Sequence, residues 1–338
     1  MNSIQQVYQD LLEPSDALVA DIKKLDGDII ILGAGGKMGP ALAKLARKAI
    51  DKAGIPKKVT AVSRFSEPGL QNELELAGIE TCSADLLDDG QLQQLPDAKN
   101  ILYLAGQKFG TTGKEAYTWA MNVYLPGRVA EKYRHSRIVV FSTGNVYPLS
   151  AVSLGGLAED HPPGPLGEYA QSCLGRERLF QYAAAKYATP LFIYRLNYAV
   201  DLSYGVLLEI AKSVNEGRPV DLGMGHVNVI WQGDANEIAL RALLHCAVPP
   251  KIVNITGPET VSVRWAAQEF GKLFGKTPQF INEEKPTALL SNAAESFRLF
   301  GYPRVTLKQM IGLLAEWVNQ GGKTINKPTH FQEREGQF

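Results

Sequence analysis

The stretch GDIIILGAGGKMG, residues 27–39, constrains this chain more tightly than any other. A run of isoleucines and a leucine passes straight into a glycine turn and then into a helical pattern, KMGPALAKLARKAI at 37–50. Gly33 permits the tight turn, Gly36 lets backbone approach a pyrophosphate, and Gly39 lets helix and strand pack closely. The first N–H groups of the helix then face the anion. A glycine triplet alone means little, since a turn can simply need glycine. Here the strand–turn–helix context is the one a dinucleotide site requires. The turn residues Gly33, Gly35, Gly36, Lys37, Met38 and Gly39 are therefore assigned to a cofactor.

This unit heads an alternating chain. Further β-type runs at 58–62, 100–104, 137–142 and 191–196 are interleaved with helical stretches at 114–134 and 169–187. Apolar strands alternating with helices predict a parallel sheet covered on both faces, a Rossmann-type doubly wound α/β fold. After about residue 198 the pattern changes, with helical stretches at 203–216, 262–274 and 306–320 and strand-like runs at 227–231 and 251–256. The expected organisation has four parts. Residues 1–25 form a helical extension with Ser15 as an N-cap, and 26–198 a dinucleotide-binding domain completed by about 226–258. Residues 199–225 and 259–322 form a smaller C-terminal substrate lobe, and 323–338 a polar tail expected to be poorly ordered.

Composition narrows the partners. Lysine plus arginine equals aspartate plus glutamate at 35 each, so no overall field favours nucleic acid or an anionic membrane. No apolar run reaches the length of a membrane span, and the first ten residues lack a signal-peptide pattern. Three cysteines far apart in sequence read as reduced thiols of a cytoplasmic protein. Five scattered histidines show no metal-ligand spacing. The expected partner is a small-molecule substrate. The second strand ends VTAVSRFS, so Ser63 stands where an acid would bind a ribose 2′-hydroxyl, and Arg64 follows. An arginine there accommodates a 2′-phosphate, which favours NADP over NAD; the alternative is a solvated surface residue.

With these residues in view, the chain resembles the extended short-chain dehydrogenase/reductase family, the NAD(P)-dependent epimerase/dehydratase group. The turn at 33–39 is similar to its wide-spaced glycine pattern. SADLLD at 83–88 resembles its GDxxD stretch, which implies that Asp85 and Leu86 flank the adenine. YLAG at 103–106 resembles its HLAA segment, implying Leu104, Ala105 and Gly106 beside the cofactor. MNVYLPGRVAEKY at 121–133 resembles its NVxGTxNLLEAA helix and brings in Asn122, and STGNVYP at 142–148 resembles its S-[ST]-x-x-VYG signature. RLN at 195–197, GDANEIALRAL at 233–243, NITGPETVSVRWAA at 254–267 and FGYPRVTLKQMI at 300–311 follow in the family's order, so the likeness covers about 28–320. It also implies a homodimer, formed through helices such as 114–134 and 169–187; the alternative is that the apolar faces of these helices belong to the core.

The resemblance implies hydride transfer between a sugar or nucleotide-sugar carbinol and a nicotinamide, with Thr143 as hydroxyl partner and Tyr169 as acid/base, also touching the cofactor. Asn145, Asn197 and Lys108 are placed on the substrate side. Glu159, Asp160 and His161 are loop residues, either solvated or in contact with substrate. Where nucleotide-sugar members often carry an arginine, this chain has His226 and Asn228. The main departure is Cys173, four residues after Tyr169, where the family has lysine. A free tyrosine titrates near ~10, and bringing it to neutrality takes roughly 4 kcal/mol. A cation about 5 Å away at an effective dielectric near 20 supplies roughly 3 kcal/mol of that. Cysteine cannot. Arg176 on the same helical face and Lys108 are the candidate substitutes, although Arg176 reads more naturally as a surface residue. The alternative function is a dinucleotide-binding sensor or partner-binding protein that has lost the chemistry. A third reading makes Cys173 a reactive thiol.

Overall fold

The computed structural model describes residues 4–108, 110, 113–325 and 327–337. Residues 1–3 of the N-terminal extension and 326 and 338 of the tail lie outside the described residues. Seven parallel strands form the central sheet: β1 Ile29–Leu32, β2 Val59–Ser63, β3 Glu80–Ser83, β4 Asn100–Tyr103, β5 Arg137–Thr143, β6 Leu191–Leu196 and β7 Lys251–Ile255. Their order is β7-β6-β5-β4-β1-β2-β3. The strands are apolar on both faces because both are covered. Ile29 and Ile31 pack toward the crossover helix Gly39–Ala53, while Ile30 and Leu32 enter the cluster holding Val129 and Phe180. This is the period-2 alternation of a strand buried from both sides.

The sequence pattern missed β3. It pairs only with β2 at the sheet's edge, and its residues Glu80, Thr81, Cys82 and Ser83 are at most half-buried, so it carries no apolar run. The helix expected over 114–134 is broken into Glu115–Trp119, a π-turn at Ala120–Tyr124 and Leu125–Lys132. Pro126 accounts for the break: it has no N–H to give the carbonyl of residue 122, and its ring crowds that carbonyl. The run at 227–231 is two short pieces, not one strand. His226–Val227 pairs with Val261–Ser262, whereas Ile230–Trp231 pairs with Ala199–Val200. Between them, the Asn228 side chain takes the N–H of Ser291 and donates to the carbonyl of Glu259.

A separate apolar cluster is built from the helices Val206–Glu216, Val263–Phe274 and Leu307–Asn319. Ile4 of the first helix joins this cluster, while Leu18 and Ile22 of the next join the sheet's core. Ser15 caps the second helix by accepting from Leu18 N, and its hydroxyl donates to Glu237. The closing segment, expected to be poorly ordered, packs back on the body. Phe331 is buried, Thr329 donates through N and Oγ1 to Glu209, and Arg334 donates to Thr287 and to the Gly223 carbonyl. Its polar composition hides these few anchors. Among the described residues, no helix is long and apolar enough to cross a membrane.

Candidate active site

The sheet order reverses between β1 and β4, which opens a crevice above the carboxyl ends of those strands. A cavity of about 260 Å³ lies there. Five of the six turn residues assigned from sequence line it: Gly33, Gly36, Lys37, Met38 and Gly39. Gly33 has φ +87°, and a Cβ on it would meet the Ala105 nitrogen at 2.6 Å. A Cβ on Gly39 would overlap the Ala34 carbonyl, and one on Gly35 the Ser63 hydroxyl. Gly36 differs, because the nearest atom to a Cβ there is the Gly33 oxygen at 3.4 Å. Its outer side therefore faces open space, as a backbone that receives a bulky anion must. The helix that follows has no side-chain N-cap and carries proline in its first turn, so its leading N–H groups have no capping side chain. The turn fits a pyrophosphate.

Leu104, Gly106 and Lys108 reach the cavity from the end of β4, Thr143 and Asn145 from the end of β5, and Asn197 from the end of β6. Ala105 lies beneath Gly33 instead. Ser63, Arg64, Asp85 and Leu86 stand apart from the cavity at the β2–β3 edge. There Arg64 is exposed and 4.0 Å from the Asp85 carboxylate, and Leu86 is buried. Asn122 is also removed from the cavity. It is buried, donates to the Gln107 carbonyl and to Ser172, and accepts from Gln107 N and Arg176. It fixes the segment after β4 against the Tyr169 helix.

Tyr169 sits in the first turn of the helix Gly167–Tyr187, packs against Cys173, and lines the cavity with Thr143. The pair expected from sequence is thus together at the cavity. Burial, helped by Cys173, holds the Tyr169 phenol well above its ordinary value, while the Arg176 guanidinium and Thr143 pull the other way. Cys173 is fully buried among Val146, Tyr147, Leu157 and Tyr169, and burial pushes its thiol up as well. A buried, protonated thiol is not a nucleophile, so the reactive-thiol reading finds no support in this geometry.

The expectation that Arg176 is a surface residue is overturned. Its side chain turns inward, is buried, and lines the cavity with Tyr169. Nη1 donates to the Phe141 carbonyl at 2.7 Å and Nη2 to Asn122 Oδ1 at 2.7 Å. The guanidinium lies against Gly106, where any Cβ would overlap it. It bears electrostatically on both Tyr169 and Cys173, and Lys108 does so on Cys173. Burial brings the Lys108 ammonium down to about 8. A guanidinium therefore stands at the cavity three residues after Cys173 and seven after Tyr169, and the Lys108 side chain lines the same cavity.

Sequence reasoning missed the buried pair behind this site. Arg195 donates to both carboxylate oxygens of Glu177, at 2.9 and 2.7 Å, and to the Tyr147 hydroxyl at 2.6 Å. Ser142 also donates to Glu177, and Tyr147 donates to Asn254. The signal was present: an arginine inside the apolar strand LFIYRL needs a buried acid, and Glu177 is one turn beyond Cys173. Glu159, read as a loop residue, accepts from Asn254 N and is half-buried, with its carboxyl pushed up by burial.

A family model, that of the NAD dependent epimerase/dehydratase family, matches residues 29–255, and the chain belongs to that family. No curated protein sequence matches. Among solved structures, the chain is similar to the Bordetella bronchiseptica enzyme WbmG in complex with NAD and UDP, with 18% identity and a TM-score of 0.72, covering 89% of this chain and 98% of that one. It is similar to the Thermotoga maritima UDP-glucose 4-epimerase with UDP-glucose, with 15% identity and a TM-score of 0.70, covering 87% and 99%. The Bacillus cereus UDP-glucuronic acid 4-epimerase in complex with NAD gives 21% identity and a TM-score of 0.69, covering 88% and 100%. At these identities the likeness is one of fold.

Proposed function

We propose that this chain is a nicotinamide-dinucleotide-dependent enzyme that moves hydride to or from a carbinol carbon of a sugar or nucleotide sugar. The observation that carries this reading is that Thr143 and Tyr169 line the same cavity as the open side of the glycine turn. Held on the turn, the dinucleotide supplies or takes up hydride. Thr143 and Tyr169 together bind the substrate oxygen, and Tyr169 exchanges the proton. Because the phenol is held protonated, it is set to donate to an oxygen that gains charge, which is the reductive direction. In the opposite direction Arg176 stabilises a developing phenolate without carrying the proton, since a guanidinium stays charged.

Two of the related structures above are complexes with NAD. The absence of an acid at Ser63 and the exposed Arg64 favour NADP alongside NAD, with the 2′-phosphate competing with Asp85 for the guanidinium. Residues 199–225 and 259–322 serve as the substrate lobe. Exposed Tyr117, Trp119, Tyr124 and Tyr182 on the helices of 115–132 and 167–187 suit a homodimer contact. The test is a panel of sugars and nucleotide sugars with NAD and NADP, read by the absorbance of reduced nicotinamide. Tyr169→Phe should lower turnover roughly a hundred- to ten-thousandfold while leaving dinucleotide binding in place. Equal turnover by Tyr169→Phe removes the assignment.

A further inference from the structure

The closing segment, residues 327–337, borders the cavity as well as anchoring the end of the chain. Thr329 lines the cavity with Tyr204 and Gly205. From there the backbone passes Phe331, buried in the second apolar cluster, and Arg334. Arg334 donates to the Gly223 carbonyl at 3.1 Å and to the Thr287 carbonyl and hydroxyl at 2.8 and 2.6 Å. The segment ends against the loop before Tyr169, where a Cβ on Gly167 would overlap the Gly336 carbonyl and one on Gly336 the Leu166 carbonyl. It thus runs from the Tyr204 side of the cavity to the Tyr169 side, across the face that looks toward the second lobe.

That face is where a substrate would extend beyond its reacting carbinol. The opposite wall is the glycine turn, and the floor is formed by the ends of β4, β5 and β6. Among the described residues that line the cavity, those beyond Asn197 are Tyr198, Ala199, Tyr204, Gly205, Val206 and Thr329, and none comes from 207–328. Ala199 is held in turn by Lys37, whose side chain leaves the glycine turn, crosses the cleft and donates to the Ala199 carbonyl at 2.9 Å. Gly223 and Thr287 of the second lobe meet Arg334 and not the cavity. A volume of about 260 Å³ is below the roughly 300–1,000 Å³ of pockets that bury a drug-sized ligand, and the nicotinamide end of a cofactor claims part of it.

We propose that residues 327–337 form the closed end of the substrate site, which admits a sugar-sized carbinol compound and shuts out one carrying a nucleotide. This rests on the cavity being the hydride-transfer site, and it narrows that reading to sugars without a nucleotide handle. The anchors are spread along the segment. Thr329 gives Glu209 two hydrogen bonds, at 3.0 and 2.6 Å, Phe331 is buried, and Arg334 reaches three oxygens. A nucleotide entering the lobe from the cavity would forfeit these bonds and return Phe331 to water.

The test is calorimetric titration of the full, dinucleotide-saturated chain with UDP-glucose, with amide hydrogen exchange in residues 327–337 followed in parallel. The parent should show no saturable binding at millimolar concentration and no loss of protection in the segment. Arg334→Ser, combined with Phe331→Ala if protection persists, should speed exchange in the segment and tighten UDP-glucose binding at least tenfold. Neither residue lines the cavity, so dinucleotide affinity should stay within twofold in both variants. Saturable binding of UDP-glucose by the parent, or a released segment with UDP-glucose affinity changed less than twofold, overturns the inference. The dinucleotide titration comes first: failure of the parent there removes the hydride-transfer reading, whereas dinucleotide binding together with UDP-glucose binding removes this inference alone.

Discussion

Returning the family's lysine to position 173 is the sharpest perturbation of this site. Sequence alone frames Cys173→Lys as a rescue, with activity gained if the enzyme had decayed. The structure predicts the reverse. Cys173 is fully buried and enclosed by Val146, Tyr147, Leu157 and Tyr169. The Arg176 guanidinium nearby is tied to Phe141 and Asn122 and has no free route away. Two like charges about 5 Å apart at an effective dielectric near 20 repel by roughly 3 kcal/mol. Forcing a longer side chain into a packed site adds about 1–3 kcal/mol. The expected loss is about 4–6 kcal/mol, a large part of the 5–15 kcal/mol that typically holds a fold together. Chemical denaturation followed by tryptophan fluorescence measures it. Cys173→Ser should lose far less, and adding Arg176→Met to Cys173→Lys should recover roughly the 3 kcal/mol of repulsion. A Cys173→Lys protein as stable as the parent and more active would refute the idea that Arg176 already supplies the cation.

Three other outcomes are expected. Glu177→Gln leaves Arg195 buried without its carboxylate and should destabilise by about 3–5 kcal/mol, measured by the same denaturation, with Ser142 and Tyr147 unable to compensate. Gly33→Ala must adopt φ +87° with its Cβ against Ala105 N, so dinucleotide affinity should fall at least tenfold; unchanged affinity in a titration would dismiss the turn as the binding element. With its thiol raised by burial, Cys173 should resist a thiol reagent at pH 8 in the folded protein and react on unfolding. Rapid labelling that slows on adding dinucleotide would reinstate the reactive-thiol reading.

The parts of the fold that sequence made legible were those with strong periodicity. β1, β2, β4, β5 and β6 carry apolar runs because both sheet faces are covered, and the glycine turn sits beside the one strand that starts the alternation. β3 was invisible because an edge strand with polar residues has no such run. The π-turn was marked by Pro126 but needs three-dimensional context to separate it from an ordinary kink. At the site, Thr143 and Tyr169 were implied by the family resemblance, and both line the cavity. Arg176 was misread, because an arginine at i+7 looks solvated until Asn122 and the Phe141 carbonyl, both distant in sequence, give it partners. The reach of Lys37 across the cleft depends on residues more than 160 positions away. Long-range polar pairing leaves no local pattern to read.

Direct titration of the purified chain with NAD and with NADP tests the proposed cofactor site most simply. Saturable binding of at least one dinucleotide, weakened by Gly33→Ala and retained by Tyr169→Phe, is the predicted result. Failure of both dinucleotides to bind at millimolar concentration would contradict it.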